Sequence, residues 1–188
     1  MNNINDLMIL YIFQDNLNKF IDILNHGADI HYLDDYGLFL ACSKGYLGIV
    51  SHILNFFSIS EKSLGESLKS ACVFNHLNIV IYLLENGSDP NYNNGAPLIW
   101  SLYKCHYDIA KLLIKNKADI NIQNGLPLRI CVDKGNLEML KYLVDKGSDI
   151  NGELLMGDHF KCIERYSRKI IVEYIKDERR KKIDLIIS

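Results

Sequence analysis

Cys72, His76, Cys105 and His106 are the ligand types that tetrahedral zinc takes, two thiols and two imidazoles. Zinc needs all four to converge in one tetrahedral site. No metal and no cofactor are expected. Cys42 and Cys72 stand 30 residues apart. If the helices that carry them stack, the axes lie some 8–10 Å apart, beyond the roughly 7 Å Cα separation that a disulfide tolerates. The five cysteines (Cys42, Cys72, Cys105, Cys131, Cys162) are odd in number and contain no C-x-x-C pair, which fits a reducing compartment. No Ser-His-Asp or Cys-His arrangement can be traced to a pocket, and no G-x-x-x-x-G-K-[ST] phosphate loop occurs, so an enzyme is not expected. The run Arg179, Arg180, Lys181 and Lys182 suits a nuclear address or a nucleic-acid contact. At the C-terminus of a helix it equally complements the helix dipole, and that is the preferred explanation.

The totals point the same way. A chain of 188 residues, 48% hydrophobic and 23% charged, has apolar material for a core and too little charge for disorder. A formal charge of −2 gives no whole-chain attraction to nucleic acid or to an anionic membrane. The apolar run Leu7 to Phe13 is far shorter than the roughly 20 residues of a bilayer span, and no basic segment precedes it as in a signal peptide. A cytoplasmic protein without a membrane partner is expected.

The elements that would position any site repeat every 30 residues. "HGADIH" (His26 to His31) returns as "NGSDPN" (Asn86 to Asn91), "NKADIN" (Asn116 to Asn121) and "KGSDIN" (Lys146 to Asn151). One copy is missing near 59, where the chain reads "NFFSIS". The apolar columns cross that gap: Met8, Leu38, Leu68, Leu98, Leu128; Ile23, Ile53, Leu83, Leu113, Leu143; Leu24, Leu54, Leu84, Ile114, Val144; Phe20, Val50, Val80, Ala110, Leu140. Gly65, Gly95 and Gly125 also stay in register. Five rows result, at about 1–31, 32–61, 62–91, 92–121 and 122–151, with 152–188 left over.

Each row holds two short amphipathic stretches, both predicted as helices. Pro97 and Pro127 open the first helix of their rows, where a missing N–H costs nothing. The second helix ends at Gly27, Gly87 or Gly147, residues suited to the left-handed conformation after a helix, with Lys117 in that place in row four. The following Ala or Ser keeps the turn uncrowded, and the Asp accepts backbone N–H bonds that hold the exit loop. A helix pair of this size cannot bury its own apolar face, so neighbouring copies must stack.

These residues resemble an ankyrin repeat. Row five, "GLPLRICVDKGNLEMLKYLVDKGSDIN" (Gly125 to Asn151), follows the pattern T-P-L-H-x-A-A-x-x-G-x-x-x-I-V-x-x-L-L-x-x-G-A-D-x-N, and the resemblance covers residues 5 to 151. It implies an all-α solenoid of helix-turn-helix units. It also makes Cys42 and Cys72 small residues at a close helix approach, and places His76 and His106 just after the family's Gly-His position. The period of 30 is shorter than the usual ~33 residues, and the missing residues fall between the G-A-D-x-N segment and the next helix, so the β-turn fingers should be clipped. Clipped fingers and heavy Asn and Ile usage resemble the ankyrin proteins of giant viruses of the mimivirus type. "SRKIIVEYIKDERRKK" (Ser167 to Lys182) resembles the second helix of one more row, with Ile171, Val172 and Ile175 in the apolar columns, and is expected to serve as a degenerate capping repeat.

The resemblance implies a non-catalytic scaffold that binds a protein partner, a host-cell protein if the origin is viral, through the concave face made by first-helix ends and loop fingers. At the helix ends the column reads Gln14, Lys44, Phe74, Lys104, Lys134, with Tyr103 beside it. At the fingers stand Asp34, Asp35, Asn93, Asn94 and Gln123. Solvated lysines need no explanation, but an exposed Phe74 does. A monomer without a small-molecule substrate is expected. Two other functions stay open: a substrate adaptor for a ubiquitin-ligase-type complex, for which residues 152–188 are short as a docking element, and nucleic-acid binding, which needs the lysine column and the 179–182 run on one basic face.

Overall fold

A computed structural model describes residues 3–150 and 165–187, and the side chains of the last helix from 170 to 185. Among the described residues there are helices and no strands: α1 (Ile4–Phe13), α2 (Leu17–Asn25), α3 (Tyr32–Lys44), α4 (Leu47–Phe56), α5 (Glu61–Val73), α6 (Leu77–Glu85), α7 (Tyr92–Tyr103), α8 (Tyr107–Lys115), α9 (Ile122–Asp133), α10 (Leu137–Asp145) and α11 (Arg165–Ile187). They fall into two compact units, Met1–Ala118 and Asp119–Ser188.

In the first unit, each row contributes a helix pair, and first helices pack on first helices, α1 on α3, α3 on α5 and α5 on α7. The second helices form their own layer through α2, α4, α6 and α8. The core lies between the layers. Met8, Leu38, Leu68 and Leu98 are fully buried, as are Phe20, Val50, Val80 and Ala110 and, one turn on, Ile53, Leu83 and Leu113. Ile23 and the neighbouring column Leu24, Leu54, Leu84 and Ile114 are only half-buried, because the buried stripe of each second helix is narrower than the alternation suggests.

The second helices end as the turn chemistry requires. In row three Gly87 has φ 86°, its N–H bonds to Leu84 O and the Ser88 N–H reaches Leu83 O, the paired bonds of a helix C-terminus closed by a left-handed residue. Lys117 takes the same conformation with φ 70° despite its side chain. Each Asp then holds the exit: Oδ1 of Asp29 and Asp89 accepts from the N–H two residues on, at 2.9 and 2.8 Å.

The expected β-turn fingers are replaced by something tighter. Leu33, Asp34 and Asp35 have φ of 54°, 55° and 61°, and Asn93, Asn94 and Gly95 have φ of 48°, 57° and 77°. Three consecutive left-handed residues reverse the chain within one turn, so right-handed helix resumes after Gly95 and Pro97 falls in its first turn. Row three has no such turn. Phe57 leaves α4 extended, and the Ser60 side chain caps α5 by accepting from Ser63 N at 3.1 Å.

One column ties the rows together. In the inner rows the residue before the second helix reaches back to the preceding row's first helix: Tyr46 OH to Phe13 O at 3.4 Å, His76 Nε2 to Ser43 O at 3.0 Å, His106 Nδ1 to Cys72 O at 2.9 Å. In row one the same position is Asn16, which caps its own helix at Lys19 N. The two imidazoles thus satisfy carbonyls left over at helix ends.

In the second unit, α9 and α10 repeat the pattern, with Gln123, Asn124 and Gly125 left-handed and Asn136 capping α10 at Met139 N. Asn121 Oδ1 accepts the Asp149 N–H at 2.9 Å. Helix α11 runs 23 residues, longer than a repeat helix. It buries Ile171 and Ile175, while Val172 is half-buried. Arg179 Nε donates to Ile150 O at 2.7 Å. The start of the expected cap from 152, and Cys162, lie outside the described residues.

Candidate functional site

The first helices of the first unit end on one side, and their last residues are exposed. Lys44 closes α3, Phe74 follows α5, and Tyr103 and Lys104 close α7. Because α3, α5 and α7 pack side by side, these ends are neighbours at about the 8–10 Å of helix packing. Phe74 is 55% exposed and Tyr103 54%. Lys44 Nζ lies 4.9 Å from the centroid of the Phe13 ring, itself 56% exposed, a cation–π geometry. Tyr103 meets Trp100 edge-on at 5.8 Å. The surface is therefore richer in aromatics than the column of Lys44, Phe74 and Lys104 suggests. Leu10 with Phe13, and Trp100 with Tyr103, are exposed pairs three residues apart on α1 and α7. The signal for them was present, since they occupy the same two columns of rows one and four, but the intervening Leu40, Ser70, Ser43 and Val73 break those columns.

Gln14 is exposed at the matching end of α1. In the second unit, Lys134 takes the equivalent place after α9, and Gln123 is exposed in its left-handed turn.

The finger residues divide. Asp34, Asn93 and Asn94 are exposed. Asp35, expected at an exposed fingertip, is buried, only 6% exposed, because the left-handed turn folds it back to within 2.6 Å of His31 Nδ1. Behind the turns, Tyr92 OH donates to Glu66 Oε1 at 3.0 Å, and Lys69 pairs with the same carboxylate. Burial pushes the Glu66 carboxyl up, yet the bonds from Lys69 and Tyr92 outweigh it and hold the group below its ordinary value. Gly65 lies under the Tyr92 ring, where a Cβ would collide with it.

The cysteines and histidines do not assemble. Cys42 and Cys72 are separate buried thiols whose pKa is raised by desolvation, and Cys105 is exposed. Among the described residues no His, Cys, Asp and Glu group has a metal-binding arrangement. The basic run is partly engaged, with Arg179 on Ile150 O and Lys181 paired to Asp177 and Glu178 at 3.0 and 2.8 Å. No described helix is long and apolar enough to cross a membrane.

Stacked helix pairs with a repeated exit turn and an exposed row of first-helix ends define an all-α repeat protein. A model of ankyrin repeats (3 copies) matches residues 7–94 and 93–153, and the chain belongs to the ankyrin-repeat family. Such repeats generally mediate protein–protein interaction and are typically non-catalytic. No curated protein matches the chain.

Proposed function

We propose that the chain is a protein-binding scaffold whose first unit docks an acidic partner segment across Lys44, Phe74, Tyr103 and Lys104. The observation that carries this is the exposure of Phe74, Phe13, Trp100 and Tyr103 beside two lysines, an aromatic surface with a cationic rim of the kind that marks protein-binding sites. Phe74, Tyr103, Trp100 and Phe13 supply rigid anchors, and the lysines steer and orient an acidic segment. An origin in a giant virus of the mimivirus type fits the short links and the composition, and the partner is then a host protein. Two of the four cations of the 179–182 run, Arg179 and Lys181, bond within the chain, which weakens the nucleic-acid reading.

The test is affinity capture from host-cell lysate, followed by calorimetry on the identified partner. Phe74→Ala should weaken binding by about 2 kcal/mol or more. Lys44→Glu with Lys104→Glu should slow association and flatten its salt dependence, and Lys134→Glu is measured separately. Unchanged affinity in all three would remove this face as the site.

A further inference from the structure

On the side of the first helices opposite the buried Met8 column, rows one and four raise two apolar ridges and rows two and three leave a trough. Leu10 with Phe13 on α1, and Trp100 with Tyr103 on α7, are exposed. The same two columns on α3 and α5 hold Leu40 and Ser43, Ser70 and Val73, which are buried or half-buried. With α1, α3, α5 and α7 packed side by side, the ridges stand three helix spacings apart, roughly 24–30 Å. The two ends of the trough differ in charge. Where the first helices finish, Lys44 and Lys104 are exposed, and Asp15 is the one acid in the turns that follow α1, α3, α5 and α7. Where they begin, Asp6, Asp34 and Glu61 are exposed against Lys62.

We infer that the trough takes an amphipathic α-helix of the partner, lying antiparallel to α3 and α5 with an acidic first turn on Lys44 and Lys104. A helix is about 10–12 Å across with its side chains, so one laid over α3 and α5 reaches both ridges. An extended segment would set its N–H and C=O groups against apolar side chains without partners, since α3 and α5 offer no open backbone edge. A helix satisfies its own backbone. The floor asks little of it: Ser43 Oγ already donates to Leu40 O at 2.8 Å, and Glu66 and Lys69 pair with each other. Direction follows from charge. Acids are favoured in the first turn of a helix and bases in the last, so a partner helix with its ordinary charges complements the trough only when its N-terminus lies at the Lys44 end. Its dipole then runs opposite to those of α3 and α5. Lys44 lies 4.9 Å from the centroid of the Phe13 ring, which ties the cation to the first ridge.

This inference rests on the protein-binding reading and gives the form and direction of the acidic segment. The probes are two stapled, Trp-free peptides of about 14 residues, roughly 21 Å long. Stapling is needed because a free helix of that length is marginal in water. Both carry Leu at helical spacing. One has Asp and Glu in its first turn and Lys in its last, and the other has these charges exchanged end for end. Trp100, the one tryptophan of the chain, reports on the trough. On the full chain the first peptide should move Trp100 emission to the blue and bind about tenfold tighter than the second. In a Lys44→Glu, Lys104→Glu variant the order of the two peptides should reverse, which a purely hydrophobic attachment does not produce. Val73→Glu and, separately, Ser43→Glu set an anion in the floor, and each should weaken both peptides about tenfold or more while circular dichroism stays that of the parent. No Trp100 response, equal affinities of the two peptides, or an unchanged order in the double variant overturns the inference. Failure of the peptides while Phe74→Ala still weakens the captured partner removes this inference alone. Peptides that behave as expected, with a captured partner indifferent to Phe74, Lys44 and Lys104, remove the proposed docking of that partner alone.

Discussion

The link after row two and the link after row three do the same job with different means. After row three, Gly87 closes α6, Asp89 holds the exit, and Asn93 to Gly95 turn the chain left-handed into α7. After row two, Phe57 leaves α4 extended and, three residues on, the Ser60 side chain caps α5. The core does not register the difference: Ile53, Leu68, Ala71 and Cys72 around the worn link are as fully buried as Leu83 and Leu98 around the intact one. The repeated sentence is therefore local punctuation. It sets how the chain leaves one row and enters the next, while the buried columns set how rows stack.

That separation can be broken most forcefully in the core. Ile53→Ala and Leu83→Ala should each lose roughly 2–5 kcal/mol in urea unfolding, alike in the worn and the intact row. A cheap Ile53→Ala would show that losing the sentence had loosened the packing. Next comes the glycine column. Gly65→Ala should cost about 1–3 kcal/mol through overpacking against Tyr92, and lose that cost in a Tyr92→Ala background. Gly125→Ala meets open space, so its cost of about 1 kcal/mol should be backbone strain and survive any neighbour's truncation.

Relief of strain should be smaller. Leu33→Asn, at an exposed left-handed residue whose counterpart is Asn93, should raise stability by up to about 1 kcal/mol, and Lys117→Gly should do likewise. Ser88→Ala should stay within about 1 kcal/mol of the parent and not destabilise, since the buried Ser88 hydroxyl has no hydrogen-bond partner and Ala118 fills the same column.

The smallest effect belongs to pH. His52, beside Phe20, Phe56 and Phe57, has its pKa lowered by burial, so the folded state resists a proton that the unfolded chain accepts. Stability from this group is present above the unfolded value of about 6.5 and declines as pH falls below it. A thermal melt series across that range should show a shallower decline in His52→Asn.

The thirty-residue period, the two helices per row, the glycine ends, the Asp-held exits and the exposed helix ends at Lys44, Phe74, Tyr103 and Lys104 are all legible in the order of residues along the chain. All of these follow from patterns within a few residues or from columns that recur, because helix periodicity and turn chemistry are local. Packing in three dimensions makes the clipped fingers left-handed turns, folds Asp35 inward onto His31, sets Gly65 under Tyr92, and bonds His76 and His106 to the row before. Packing also brings Phe13 and Trp100 into the aromatic surface. The reason is reach. Tyr92 meets Glu66 across 26 residues and His106 meets Cys72 across 34, and such pairs depend on how close two rows come once the columns are buried. That distance is set by packing the whole unit, and no single row contains it.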